Sequence, residues 1–262
     1  YNGALYFQAQ GLDRFGTELW KYDPAGGAGL VADIYPGATG SYPSNLAVYN
    51  GALYFAADGN DGKGYELWLY SNTEAGAFRS TGAYDGWVLE SGETTNVGGT
   101  LNAGATTFNL GDNAQNRQYR SILSFDTSSL PDTAVVTSAT LKIRRKSVAG
   151  TNPFTTHGKI RADIRKGPFG GNVKLQAKDF QAAATKAKIG TIKNNPGASN
   201  WYSAKLANTA YTCINTKGVT QVRLRFATDD NNDNGADYLR FHSGDACVLS
   251  DRPILEVTYY VP

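Results

Sequence analysis

The chain has no methionine, two cysteines, two histidines and six glutamates among its 262 residues. So thin a supply of general bases and thiols argues against acid–base or thiol catalysis, and no Gly-x-Ser-x-Gly, His-Glu-x-x-His or phosphate-loop pattern occurs. His157 and His242 lack companions at zinc-ligand spacing. His157 reads as a loop residue, and His242 shares a strand face with Tyr238 and Arg240. No enzyme is expected. No apolar run approaches the ~20 residues of a membrane span, so none is expected. The basic residues come without the aromatic pattern or zinc finger of nucleic-acid readers, so no nucleic acid is expected either. The chain opens Tyr1-Asn2-Gly3 with neither initiator methionine nor leader pattern, the expectation being a mature or excised product. In a secreted chain an even pair of cysteines normally oxidises, which predicts a Cys213–Cys247 disulfide.

Hydrophobic residues make up 41% of the chain, with 16 Tyr, 11 Phe and 4 Trp, enough apolar material for one or two cores and too much for disorder. Thirty glycines and nine prolines suit short strands and tight turns, so an all-β fold is expected, in two domains at this length. The net charge of +2 hides a polarity. Residues 1–98 hold four Lys and Arg against eleven Asp and Glu, a net of −7, whereas residues 99–262 hold 21 against 12, a net of +9. Within 142–193 thirteen basic residues face only Asp163 and Asp179. Such a basic stretch is either a solvated surface or an attractor for an anionic polymer or the acidic half of a neighbouring copy.

A repeat organises the first part. Tyr1-Asn2-Gly3-Ala4-Leu5-Tyr6-Phe7 recurs as Tyr49-Asn50-Gly51-Ala52-Leu53-Tyr54-Phe55, and Glu18-Leu19-Trp20 as Glu66-Leu67-Trp68; residues 1–23 and 49–71 share 15 identities. Each unit reads as a hairpin: an Asn-Gly turn, a Leu-Tyr-Phe strand, a Gly- and Asp-containing loop and a Glu-Leu-Trp return strand. Together with Asp33-Ile34-x-Pro36-Gly37 and Pro43-Ser44-Asn45-Leu46, residues 1–79 resemble the ELWxxDGT, or hyalin-type, repeat of large secreted surface proteins. They depart from it at Asp23-Pro24 and Ser71-Asn72, where that family has Asp-Gly. The resemblance implies a partial propeller-like array over residues 1–80. One full copy and a truncated second are too few to close a propeller, which takes ~4–8 blades, so the open edges need another cover.

From about Thr81 the texture changes. Strands are predicted at Gly86–Ser91, Thr106–Leu110, Gln118–Asp126, Val135–Lys146, Lys159–Lys166, Gln221–Thr228, Tyr238–Ser243 and Pro253–Val261, a jelly-roll β-sandwich over residues 81–262. The segment Ala177–Lys188 is predicted as a short helix starting at Asp179-Phe180-Gln181. Asp85-Gly86-Trp87-Val88-Leu89-Glu90-Ser91, Arg120–Pro131, Thr220-Gln221-Val222-Arg223-Leu224-Arg225-Phe226 and Arg252-Pro253-Ile254-Leu255-Glu256-Val257 resemble the DNRLRE-type domain. The resemblance covers about residues 84–262. It implies a secreted jelly-roll related to carbohydrate-binding modules, some of which bind acidic polysaccharides.

Alternation places Lys142, Arg144 and Lys146 opposite Leu141 and Ile143, and Lys159, Arg161 and Arg165 opposite Ile160, Ala162 and Ile164. These six cations are the candidate glycan contacts. Asp229, Asp230, Asn232, Asp233, Asn234 and Asp237 are candidate ligands of Ca²⁺, since Asp230-x-Asn232-x-Asn234-Gly235 matches the first half of an EF-hand loop. Phe241 stands where the closing Glu belongs, and the same residues also suit a plain turn. Asp58 and Asp61 make a weaker version of the same pattern. Trp20 and Trp68 read as packing residues; Trp87 and Trp201 are sized to stack on a sugar but also suit a core. Two functions are therefore expected of an extracellular or cell-surface protein. One is a non-catalytic module contacting acidic polysaccharide. The other is a structural subunit of a filament or surface layer, joined head to tail through open β edges.

Overall fold

The computed structural model describes residues 1–11, 14–49 and 51–261. The chain is nearly all β, and it divides into two compact units, Tyr1–Glu74 with Tyr260–Pro262, and Ala75–Tyr259. No helix among the described residues is long and apolar enough to cross a membrane.

The first unit holds two three-stranded antiparallel sheets, one per repeat. Strands β1 (Leu5–Gln10), β2 (Thr17–Asp23) and β3 (Gly27–Ala32) form the first; β4 (Ser44–Tyr49), β5 (Ala52–Asp58) and β6 (Tyr65–Tyr70) form the second. The repeat extends to the register. Leu5 pairs with Tyr22, Phe7 with Trp20 and Ala9 with Glu18, just as Leu53 pairs with Tyr70, Phe55 with Trp68 and Ala57 with Glu66. One core serves both sheets: Leu19 and Ile34 from the first copy meet Leu53, Phe55 and Ala57 from the second, with Tyr6, Trp68 and Tyr70 packed around them. The glutamate of Glu-Leu-Trp has a clear role in copy one. Its buried carboxylate accepts the backbone N–H groups of Ile34 (3.2 Å), Tyr35 (3.1 Å) and Ser41 (2.9 Å) and the Ser41 hydroxyl, folding the 34–41 loop back onto β2.

The second unit is a large antiparallel sheet curled on itself. Its strands are β7 (Glu74–Arg79), β8 (Gly86–Glu90), β9 (Gly98–Asn102), β10 (Thr107–Asp112), β11 (Gln118–Asp126), β12 (Val135–Ala149), β13 (Ile160–Lys166), β14 (Lys186–Ile192), β15 (Trp201–Lys205), β16 (Val219–Phe226), β17 (Tyr238–His242) and β18 (Ile254–Tyr260). Their order is β14-β13-β16-β11-β10-β17-β12-β18-β7, with β8 beside β11, β9 beside β8 and β15 beside β12. All eight strands predicted for this region are present, within a few residues at each end. Alternation drives one face of each inward: Leu141 and Ile143, Ile160 and Ile164, Val222, Leu224 and Phe226 are buried. Aromatic rings knit the core, Tyr202 packing edge-on to Phe241 and Phe154 stacking on Tyr202.

Two expectations are corrected. Ala177–Lys188 is not a helix: Ala177–Phe180 makes a single 3₁₀ turn, and the chain then extends into β14. The Asp179 carboxylate accepts the Gln176 N–H at 2.8 Å and the Asp179 N–H returns to the Gln176 carbonyl at 3.0 Å, but an alanine-rich run without a helical apolar stripe has nothing to bury along a longer helix. Phe180 instead drops onto Val88, Ile122, Phe169 and Leu175 as a small second core. The cysteines are not bridged. Cys213 is buried at the end of the 3₁₀ segment Asn208–Cys213, its Sγ facing the Thr209 carbonyl at 3.9 Å, whereas Cys247 is exposed beside Val248. An even count of cysteines says nothing about where the fold places them.

Candidate polyanion interface

The two predicted basic stripes occupy different environments. On β12, Lys142 is bound to Glu256 of β18 at 2.6 Å, and Arg144 is bound to Asp251 while its Nε donates to the Ser199 carbonyl at 3.0 Å. Each of these cations carries its own carboxylate. Lys142 and Glu256 line a shallow groove of about 380 Å³ with Trp201, Ser203, Gly197 and Ile254. Trp201 thus faces a groove, whereas Trp87 packs edge-on against Tyr119 at 5.1 Å. Lys146 is exposed at a recess it shares with His242 and Cys247. Burial holds the His242 imidazole below its ordinary pKa, against the pull of Asp251.

On β13 the picture differs. Lys159 is exposed just ahead of the strand, and Arg165 donates to the Ala183 carbonyl at 3.2 Å. Arg161 sits directly opposite Arg225 of β16. On the other side of β16, Ser121 pairs with Leu224, so one step further along the same register Arg120 of β11 comes beside Arg225. Three arginines therefore stand in a row across three neighbouring strands, whose backbones lie ~4.8 Å apart. Arg223 joins them one pair along, opposite Asp163.

Asp163 is the carboxylate at the centre of this cluster. It meets Arg223 at 3.0 Å and Arg225 at 3.6 Å, and it also accepts the Lys188 N–H at 2.8 Å. Arg223, almost fully buried, spends its other nitrogen on the carbonyls of Asp179, Phe180 and Ala182, pinning the 3₁₀ turn over the sheet. Arg120 lies 3.9 Å above the Phe180 ring and donates to the Phe180 carbonyl at 2.9 Å. Burial lowers the Arg120 pKa to about 10, and the like charges of Arg223 and Arg225 push the same way. Burial likewise depresses Arg223, with Asp163 opposing. The buried Nε atoms of Arg161 and Arg223 have no hydrogen-bond partner. Arg120 also donates Nε to Gln118 Oε1 at 2.6 Å and Nη2 to Asn96 Oδ1 at 3.1 Å; Arg120, Arg161 and Arg225 keep partial exposure, so the remaining N–H groups of their planar guanidiniums can receive a carboxylate or sulfate group from outside.

Arg161 and Arg165 are legible as candidates from β13 alone, and Arg223 and Arg225 follow from alternation in β16. Arg120 is not legible, because it joins the row only through the pairing of β11 with β16.

The 229–237 loop is a chain of turns. Asp230 Oδ1 accepts the Asn232 N–H (3.1 Å), and Asp233 accepts from Gly235 N (2.6 Å) and the Asn231 amide (2.8 Å). Buried Asp237 accepts from Thr151 N (2.6 Å) and again from Asn231 (3.1 Å). Asn232 and Asn234 adopt left-handed backbone, and Asn234 exchanges hydrogen bonds with Asn116. Asp229 is exposed; burial and then Asp229 itself push the Asp230 carboxyl up. Asp230, Asp233 and Asp237 thus accept from N–H donors, and among the described residues no three His, Cys, Asp or Glu side chains are placed to hold a metal ion. The Asp58 and Asp61 loop is built the same way, each carboxylate capping a backbone N–H two residues on.

The chain matches no family model and no curated protein sequence.

Proposed function

We propose that this is a non-catalytic, extracellular module that binds an acidic polysaccharide through the outer face of β11, β16 and β13. The observation that carries the reading is the row Arg120–Arg225–Arg161 with Arg223 behind it, four arginines of which Arg223 and Arg225 pair with Asp163. Such a row offers forked donors at regular spacing, which suits a polymer with an acidic group on successive sugars and suits isolated anions less well. The β12 cations contribute less, since Glu256 and Asp251 already neutralise Lys142 and Arg144.

The test is retention on immobilised polygalacturonate and heparin, with neutral dextran as control. Retention is expected to fall as salt is raised, and Arg161→Gln with Arg225→Gln is expected to weaken it at least tenfold. Lys142→Gln is expected to leave it within about twofold, because that cation is already paired. Equal retention of the double variant and the parent chain would refute the assignment.

A further inference from the structure

The two repeat copies share 15 of 23 residues, yet the same positions differ sharply in burial. Leu19 is 1% exposed and its counterpart Leu67 is 79% exposed; Leu53 is 3% exposed and its counterpart Leu5 is 65% exposed. The register explains the inversion. In each sheet one face carries Leu, Phe and Ala opposite Tyr, Trp and Glu, while the other carries Tyr6, Gln8 and Leu19 in copy one and Tyr54, Ala56, Leu67 and Leu69 in copy two. The shared core joins the second kind of face of copy one to the first kind of face of copy two: Leu19 and Tyr6 lie on Leu53, Phe55, Trp68 and Tyr70, with the Tyr6 and Tyr70 rings 5.5 Å apart. Burial and then Tyr70 raise the Tyr6 phenol well above its ordinary pKa, as a closed contact requires.

One face of each kind is left over. The outer face of copy one is covered at its Glu18 end by the 34–41 loop and bears Leu5, Phe7, Ala9, Trp20 and Tyr22, residue for residue the set that copy two already packs in the core. The outer face of copy two bears Tyr54, Leu67 and Leu69, more apolar than the face copy one uses, because Leu69 replaces Lys21 and Ala56 replaces Gln8. Tyr49 and Tyr65 extend its exposed apolar surface. Contiguous apolar patches of this kind mark interaction surfaces. After copy two the chain enters β7 and the second unit rather than a third repeat.

We infer that residues 1–74 form a two-ended stacking module, in which the Tyr54–Leu67–Leu69 face of one molecule packs on the Leu5–Phe7–Trp20–Tyr22 face of a second copy of this chain. The contact repeats between molecules the one that joins the two sheets within a molecule, with Tyr54 meeting Tyr22 as Tyr6 meets Tyr70. It is heterologous, so it propagates head to tail, and it uses sheet faces rather than strand edges.

Sedimentation velocity of the full chain tests it. Average mass is expected to climb with concentration through multiples of 28.1 kDa. It is also expected to hold or rise with salt, since apolar faces attract while the acidic 1–98 regions repel. Leu5→Asp blocks one face and Leu67→Asp the other; both side chains are exposed, so the fold is kept, with circular dichroism as the check. Each variant alone is expected to stay monomeric. An equimolar mixture is expected to give a heterodimer and nothing larger, because each molecule keeps the face the other needs. A parent chain that stays monomeric up to its solubility limit, a variant that assembles like the parent, or a mixture that yields no heterodimer would each overturn the inference. Retention on polyanions by Leu67→Asp is expected to be unchanged, so failure of stacking and failure of the binding assignment are read separately.

Discussion

Glu18 and Glu66 occupy the same repeat position, and replacing each by alanine separates a buried scaffold carboxylate from a surface one. Glu18 is fully buried and receives three backbone N–H groups and a hydroxyl from the loop 34–41. Alanine leaves those donors without a partner. An orphaned buried donor costs about 1–3 kcal/mol, and with Tyr35 half-buried we take the low end for each N–H, giving about 3 kcal/mol. For a unit of this size, with a total stability of roughly 4–11 kcal/mol at 0.05–0.15 kcal/mol per residue, that is a large loss. Among the described residues Glu66 pairs with Lys63 alone, at 3.7 Å and through an exposed lysine, so Glu66→Ala is expected to cost less than about 0.5 kcal/mol. The assay is urea unfolding followed by amide exchange, because the loss has an address: the amides of Ile34, Tyr35 and Ser41 should lose protection in Glu18→Ala and keep it in Glu66→Ala. Equal midpoints for the two variants, or undiminished protection at those three amides, would refute the argument that Glu18 builds the loop.

Asp85 supplies a pH test. Its carboxyl is buried, takes hydrogen bonds from Ser80 Oγ (2.6 Å) and Gly244 N (2.7 Å), and keeps one oxygen without a partner; burial raises its pKa to about 7. A raised carboxyl pKa favours the protonated folded form, so this contribution is complete below the unfolded pKa near 4 and is lost as pH rises through 7, at most about 4 kcal/mol. Asp85→Asn is expected to flatten the dependence of the melting temperature between pH 5 and pH 8 and to gain stability at pH 8; an unaltered slope would sink the assignment. Gly40 is held at φ +86°, where an added Cβ would come within 2.1 Å of the Thr17 nitrogen. Gly40→Ala should therefore destabilise the first unit by at least about 2 kcal/mol, from left-handed strain together with overpacking, and undiminished amide-exchange protection in the first unit would contradict it.

Local pattern determined a good deal about this chain. Period-two alternation located β11 to the residue, assigned the inward faces of β12 and β13, and made the repeat visible as two hairpins. Glycine and asparagine marked turns, and the all-β class followed from composition. Sequence periodicity failed where local cues were neutral: at Lys186–Ile192 an alanine-rich lead-in hid a strand, and the two cysteines gave no sign of lying apart. The binding surface was half legible. Arg161 could be placed on an outward face from β13 alone, but a row exists only once β11, β16 and β13 are paired in register, which is decided by contacts as distant in sequence as Arg120 and Arg225. Lys142 and Arg144 read from the sequence as free charges, and only the arrival of Glu256 and Asp251 from the far end of the chain made them spent ones. The sharpest case is Leu19 and Leu67. Each stands between the same Glu and Trp in its hairpin, and nothing local distinguishes a leucine in the core from one facing water. Burial there belongs to the stacking of one sheet on another, a property of neighbours in space, and that is why only the tertiary structure could decide it.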